Sequence, residues 1–185
     1  MHPAAPFFQR GATLIELMAA LAIVAVLLAA GAPGLGEFVE GARLSGAASE
    51  LLADLHLARA EALRRNRRVT LCKSLDGEQC TANGAWDQGW IVYHDENGNG
   101  ALDEGEEVLA RHAALAWSLR LTGNQPVARY ISYTPLGASR LAGGGFQAGT
   151  LTLCRRSGAP TVARQVILNS FGRPRVQRAP VASCS

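Results

Sequence analysis

Residues 12–32, ATLIELMAALAIVAVLLAAGA, form a 21-residue apolar run with a single charge, Glu16. As a helix this run spans about 30 Å, the thickness of a bilayer core. Gly31, Pro33, Gly34 and Gly36 close it and are expected to interrupt or kink the helix. Further on, Leu44, Ala48, Leu51, Leu55, Ala58 and Ala62 recur at spacings of 4, 3, 4, 3 and 4 residues, one face of an amphipathic helix. Arg43, Glu50, Asp54, Arg59 and Glu61 lie opposite. Arg64, Arg65, Arg67 and Arg68 crowd the last turn, where cations suit the helix dipole. From Val69 the period becomes strand-like. Candidate strands are 68–73, 89–95, 107–111, 116–121, 128–134, 149–154 and 163–169, separated by Gly, Pro and Asn. One long helix followed by a run of sheet is the α+β signature.

Three readings of the N-terminal run compete. A plain membrane anchor leaves unexplained a carboxylate at its fifth position, since an acid in lipid is costly and usually functional. A secretory signal cut near Ala30-Gly31-Ala32 would place Pro33 directly after the site, and its basic flank would be Arg10 alone. The third reading takes Gly11-Ala12-Thr13-Leu14-Ile15-Glu16 as a processing site ahead of the apolar stretch. That hexapeptide resembles the type III signal of type IV pilins and pseudopilins, with Ala12 in place of the usual Phe. The resemblance implies cleavage by a prepilin peptidase between Gly11 and Ala12, methylation of the new N-terminus, and pairing of Glu16 with a neighbouring subunit's N-terminus. The desolvation cost of a lone buried carboxylate agrees with such a pairing, because an ammonium from the next chain relieves it.

The segments VTLCKSLDGEQC, WDQGWIVYHDENGNG, GTLTLC and NSFGRPR together resemble the GspH/FimT-type minor pilins and pseudopilins. The implied fold is a long N-terminal helix, transmembrane then amphipathic, packed on a β-rich periplasmic head. The implied organisation is a cleaved cytoplasmic leader over 1–11, a transmembrane segment over 12–32, its periplasmic continuation over 33–67 and the head over 68–185. Such a chain is an inner-membrane subunit that enters a filament. Its partners are other pilins or pseudopilins, the prepilin peptidase and the inner membrane, with no cofactor and no enzymatic activity.

Composition adds two facts. The chain has 185 residues, enough for one modest domain with an appendage. Its charge is divided unevenly: residues 1–107 hold 8 basic and all 15 acidic residues, whereas residues 108–185 hold 10 arginines, no lysine and no acid. That asymmetry points to a polyanionic partner for the C-terminal half. Cys72, Cys80, Cys154 and Cys184 all fall in the periplasmic part, where disulfides persist. Of the three pairings that four cysteines allow, Cys72–Cys80 and Cys154–Cys184 are favoured, the first closing a short loop and the second tying the tail to a strand. A zinc site is the alternative, but no CxxC spacing or histidine cluster supports it.

Asp95-Glu96-Asn97-Gly98-Asn99-Gly100, ending at Glu106, satisfies the spacing of a calcium loop, D-x-[DN]-x-[DN]-G-x5-E. Its flanks read as strands, so an acidic hairpin tip without metal is expected. His94 and His112 have no catalytic motif around them. Trp86, Trp90 and Trp117 are expected to pack in the core or on a sheet. Gly172-Arg173-Pro174-Arg175 matches a Gly-Arg-x-Arg motif of FimT-type pilins, which implies DNA binding, and Arg178 extends it. Pro174 and Pro180 favour an extended tail. Two functions remain open: a DNA receptor at a type IV pilus, and a purely structural subunit of a pilus or of a type II secretion pseudopilus.

Overall fold

The apolar stripe and the alternating runs become one helix and two antiparallel sheets. This computed structural model describes residue 11 and residues 13–184, without the side chains of 29–35 and 37. It falls into two compact units, Met1–Gly41 and Ala42–Ser185.

Helix α1 runs Leu14–Arg65. The interruption expected at 31–36 does not end it. A proline removes one backbone bond, and the turns on either side suffice to carry the helix past. In the first unit Leu14, Ile15, Leu21, Val26 and Leu28 are all exposed. Among the described residues no helix is long and apolar enough to cross a membrane. Ala12 and the side chains of residues 29–32, part of the expected span, lie outside the described residues. At the other end Asn66 adopts the left-handed conformation (φ 52°). The Arg67 N–H then donates to the Ala62 carbonyl (3.3 Å), a Schellman-type closure.

Eight strands follow: β1 (Val69–Lys73), β2 (Trp90–His94), β3 (Val108–His112), β4 (Leu119–Gly123), β5 (Tyr130–Tyr133), β6 (Gly149–Arg155), β7 (Thr161–Leu168) and β8 (Pro174–Val181). They form two four-stranded sheets, ordered β3-β2-β1-β5 and β4-β6-β7-β8. All pairings are antiparallel. Two elements differ from expectation. β4 starts later, because residues 116–118 form a turn closed by the Leu119 N–H on the Ala116 carbonyl (2.8 Å). The segment read as an extended tail is β8, which pairs with β7 along its whole length, from Leu168↔Pro174 to Thr161↔Val181. As the last strand of its sheet it tolerates two prolines, since an edge strand leaves part of its backbone unpaired in any case.

The main core of the second unit joins the helix to both sheets. The helix stripe Leu44, Ala48, Leu51, Leu55, Ala58 and Ala62 is buried, as the spacing predicts. It packs with Val69, Leu71, Trp90, Val92, Ile131 and Tyr133 of the first sheet and Leu119, Leu121, Leu151, Leu153, Val166 and Leu168 of the second. Trp86 and Trp90 are fully buried. Their indole N–H groups are satisfied by the Val127 carbonyl (2.9 Å) and Asp54 Oδ2 (2.8 Å). Trp117 is a correction: it stands 87% exposed on the β3–β4 connection.

Two disulfides complete the unit. Cys72–Cys80 joins β1 to the loop that follows it, and Cys154–Cys184 joins β6 to the residues after β8. Peptide mapping of the full chain without reductant is expected to return these two pairs and no free thiol. Replacing Cys154 and Cys184 together by Ser should lower stability by about 2–4 kcal/mol in chemical denaturation.

Candidate functional site

The residues singled out from sequence fall in two places, the start of α1 and the strand pair β7–β8. At the helix start Gly11 is exposed, and Ala12 lies outside the described residues. Glu16 is not an isolated carboxylate. Its Oε2 accepts from the Thr13 N–H (2.9 Å) and the Thr13 hydroxyl (3.0 Å), and the Thr13 Oγ1 accepts from the Glu16 N–H (3.4 Å). Thr13 and Glu16 thus form a capping box, Thr at the N-cap and Glu three residues on. The T-x-x-E spacing is plain in the sequence and marks where the helix begins.

The second place is built by a turn. Asn169 Oδ1 accepts from the Phe171 N–H (3.1 Å) and the Arg173 N–H (2.9 Å), and the Gly172 N–H donates to the Asn169 carbonyl (2.9 Å). Gly172 is buried at φ 75°, and a Cβ there would collide with the Gly137 carbonyl oxygen. That same carbonyl accepts from Arg59 Nε of the helix (2.8 Å). The glycine of Gly172-Arg173-Pro174-Arg175 is therefore a structural requirement of the turn, and the arginines are what the turn presents.

Arg173, Arg175 and Arg178 are all exposed. Among the described residues none of them is ion-paired. Arg175 donates to Gln177 Oε1 (3.1 Å). Arg175 and Arg178 stand three residues apart on β8, so their side chains point to opposite faces of the sheet. Arg178 does not extend the Arg175 surface. It faces Arg164 across the ladder. Burial first, then the Arg178 charge, lowers the Arg164 pKa, while one Arg164 nitrogen donates to Ser45 Oγ (3.2 Å). Beside Arg173 an open groove of about 400 Å³ is lined by Arg59, Leu136, Ala138, Asn169 and Phe171. Leu136 is 86% and Phe171 72% exposed, an apolar rim that sequence reasoning missed.

Several other charges are paired. Arg64 and Arg65 hold Glu61 (2.6 and 2.7 Å), Arg65 also holds Glu107 (2.6 Å), and Arg67 holds Glu96 (2.6 Å). Hydrogen bonds from these guanidinium groups lower the carboxyl pKa values of Glu61 and Glu107. The acids at the base of the β2–β3 hairpin are thus answered by the end of α1, and not by the C-terminal arginines. Arg156 and Arg120 share Asp87 (2.6 and 3.6 Å). Lys73, the chain's single lysine, is buried, and among the described residues it has no carboxylate partner. Its Nζ donates to the Ala82 and Gly84 carbonyls (3.0 and 2.9 Å), and burial, then Arg129, lowers its pKa. Among the described residues no three His, Cys, Asp or Glu side chains form a group able to hold a metal.

With this geometry in place, comparison with known proteins gives concordant matches. The family described as Type II transport protein GspH matches residues 47–172, and the prokaryotic N-terminal methylation motif matches residues 7–32. A "Pilin-like protein PilA1" of Thermus thermophilus is 33% identical over 180 residues, covering 91% of this chain and 99% of the relative. Among solved structures, the type IV minor pilin FimU of Pseudomonas aeruginosa is similar in fold (TM-score 0.56, 22% identity), over 80% of this chain and 99% of FimU. The minor pseudopilin EpsH of the Vibrio cholerae Type 2 Secretion System is similar at TM-score 0.50 and 13% identity, over 73% of this chain and 96% of EpsH.

The turn geometry separates two kinds of residue. Gly172→Ala is expected to cost on the order of 1–3 kcal/mol in thermal unfolding of the full chain, from backbone strain and the Gly137 contact. Arg173→Gln in the same assay should leave stability within about 0.5 kcal/mol of wild type.

Proposed function

The chain belongs to the GspH family, and we propose that it is a membrane-anchored minor pilin of a type IV pilus that binds DNA nonspecifically through Arg173 and Arg175. The observation that carries the DNA reading is the pair of exposed arginines, neither of them ion-paired, presented by a rigid glycine turn beside exposed Phe171. A guanidinium fork suits phosphate, and an exposed ring offers a stacking face for a base. The last 78 residues contribute no acid of their own, and among the described residues Arg173 and Arg175 meet none from elsewhere in the chain.

The pilin part of the reading is supported by the first unit. Its helix begins at a capped threonine two residues after Gly11, and its large apolar side chains are exposed all round. Apolar surface of that extent requires lipid or neighbouring helices as cover. Cleavage between Gly11 and Ala12, followed by assembly through Glu16, provides both in turn: membrane first, then the filament. A second reading, a structural minor pseudopilin of a type II secretion system, is favoured by the GspH match itself. It shares the anchor and the assembly step and dispenses with DNA.

Two measurements test these steps separately. Glu16→Ala should leave the disulfide-bonded second unit folded while reducing incorporation into sheared filaments; undiminished incorporation would remove Glu16 from assembly. For DNA, the detergent-solubilised full chain is titrated with random duplex at several salt concentrations. Two phosphate contacts give a slope of log K against log salt of roughly −1.8, and changing Arg173 and Arg175 together to Gln should flatten it. No binding at low salt, or equal binding by the double variant, leaves the structural reading in its place.

A further inference from the structure

The β2–β3 connection carries a calcium-loop spacing that the proposed function does not use. Asp95, Asn97, Asn99, Asp103 and Glu106 occupy positions 1, 3, 5, 9 and 12 of the pattern, and Gly100 the sixth. The flanking strands speak for an ordinary acidic hairpin tip. Two buried groups at the loop's base speak against it. Asp95 is fully buried. Its Oδ2 accepts from the Thr70 hydroxyl (2.7 Å) and, across the loop, from the Gly100 N–H (3.1 Å), which turns the carboxylate toward the loop. Its Oδ1 is buried as well and has no hydrogen-bond partner among the described residues. Tyr93, also fully buried, carries a hydroxyl without a partner. The acids whose charges bear on that hydroxyl are Asp95, Glu106 and Asp103, the three carboxylates of the pattern. A buried carboxylate oxygen with no donor is an expensive arrangement, and a cation is its natural complement.

We propose that this loop is a binding site for a hard divalent cation of calcium's size. Its ligands are the side chains of Asp95, Asn97, Asn99, Asp103 and Glu106 and the backbone carbonyl of Ala101. Among the described residues the three carboxylates do not form a metal-holding group as they stand, so binding has to draw them together. The pattern draws its remaining ligands from neutral oxygens, which suits a cation that takes six to eight oxygens in flexible geometry. Asn97 Oδ1 accepts from the Asn99 N–H (3.0 Å) and Asn99 Oδ1 from the Ala101 N–H (2.7 Å), so each keeps a second lone pair. The amide nitrogens of Asn97 and Asn99 both reach Asp103 Oδ2 (2.7 Å each), which already brings three of the ligands together. Gly100 has φ 76°, and the Tyr130 ring fills the space a Cβ would need. Magnesium fits poorly, because it holds to a small octahedron and keeps its waters. Two neutral amides among the ligands place the affinity with extracellular calcium modules, on the order of 10⁻⁴–10⁻³ M.

Terbium ions bound to the full chain in detergent should luminesce on excitation of Tyr93 and Tyr130, and calcium should quench that signal by displacement at concentrations where magnesium does not. Glu106→Gln should weaken calcium about tenfold or more, whereas Glu104→Gln, outside the pattern, should bind as wild type. Because Glu106 also accepts from the backbone N–H groups of Glu96 and Asp103 (2.8 and 3.0 Å), its loss can loosen the loop. Asp103→Asn therefore serves as the second variant, keeping an oxygen at the ninth position while removing its charge, and it too should bind more weakly. Absence of a calcium-displaceable signal, equal displacement by magnesium, or wild-type binding by both Glu106→Gln and Asp103→Asn would overturn the proposal.

Discussion

Both sheets of the second unit close on one strip of helix, and that strip is lined by small residues where the fit is tightest. Ala58 and Ala62 are fully buried beside Leu51 and Leu55. Alanine at these positions lets large partners such as Trp90 and Tyr133 enter the same core. Fixing the helix face also fixes what its flanks reach. Asp54 meets the Trp90 indole N–H, and Glu50 meets His112 (3.0 Å), whose ring stacks on Trp90 at 3.9 Å. Arg59 holds the Gly137 carbonyl, against which Gly172 is packed. The turn that presents Arg173 is thereby tied to the helix through two contacts.

The electrostatics follow from the same placement. Helix α1 ends at Arg65 beside the β2–β3 hairpin, so Arg65 and Arg67, just past its end, meet the acids there: Glu107 pairs with Arg65 and Glu96 with Arg67. Asp87 is taken by Arg156 and Arg120. Arg173, Arg175 and Arg178, by contrast, are exposed and take part in no ion pair among the described residues. Exposed ion pairs contribute little to folding.

What the sequence disclosed and what it hid have separate physical reasons. The helix face, seven of the eight strands and the α+β class were legible, because burial imposes periods of 3.6 and 2 on the apolar positions. β8 was not legible: Pro174 and Pro180 argue against a strand unless its edge position is known, and that is a property of the whole sheet. The opposite facing of Arg175 and Arg178 was hidden for the same reason, since a tail has no faces and a strand has two. The continuity of α1 past Pro33 was hidden because proline alone does not say whether a helix bends or stops. Trp117 was misplaced because composition favours burial of tryptophan on average, while a single loop position obeys no period. The Thr13–Glu16 cap was readable from the T-x-x-E spacing, but a charge in an apolar run points first to the proposed pairing with another chain.

That cap bears on how Glu16 can serve assembly at all. A carboxylate engaged at its own helix start still has room for a neighbour, because both bonds from Thr13 fall on Oε2. A carboxylate oxygen pair offers about four acceptor sites, so Oε1 retains its capacity. Cleavage after Gly11 leaves the Thr13 N–H and hydroxyl in the chain, and the cap survives the proposed processing. The capping bonds also restrict the side chain, which lowers the entropy lost when a partner ammonium binds. In the proposed filament the intrachain cap and the intersubunit pair therefore act together: the first orients the charge, and the second neutralises it.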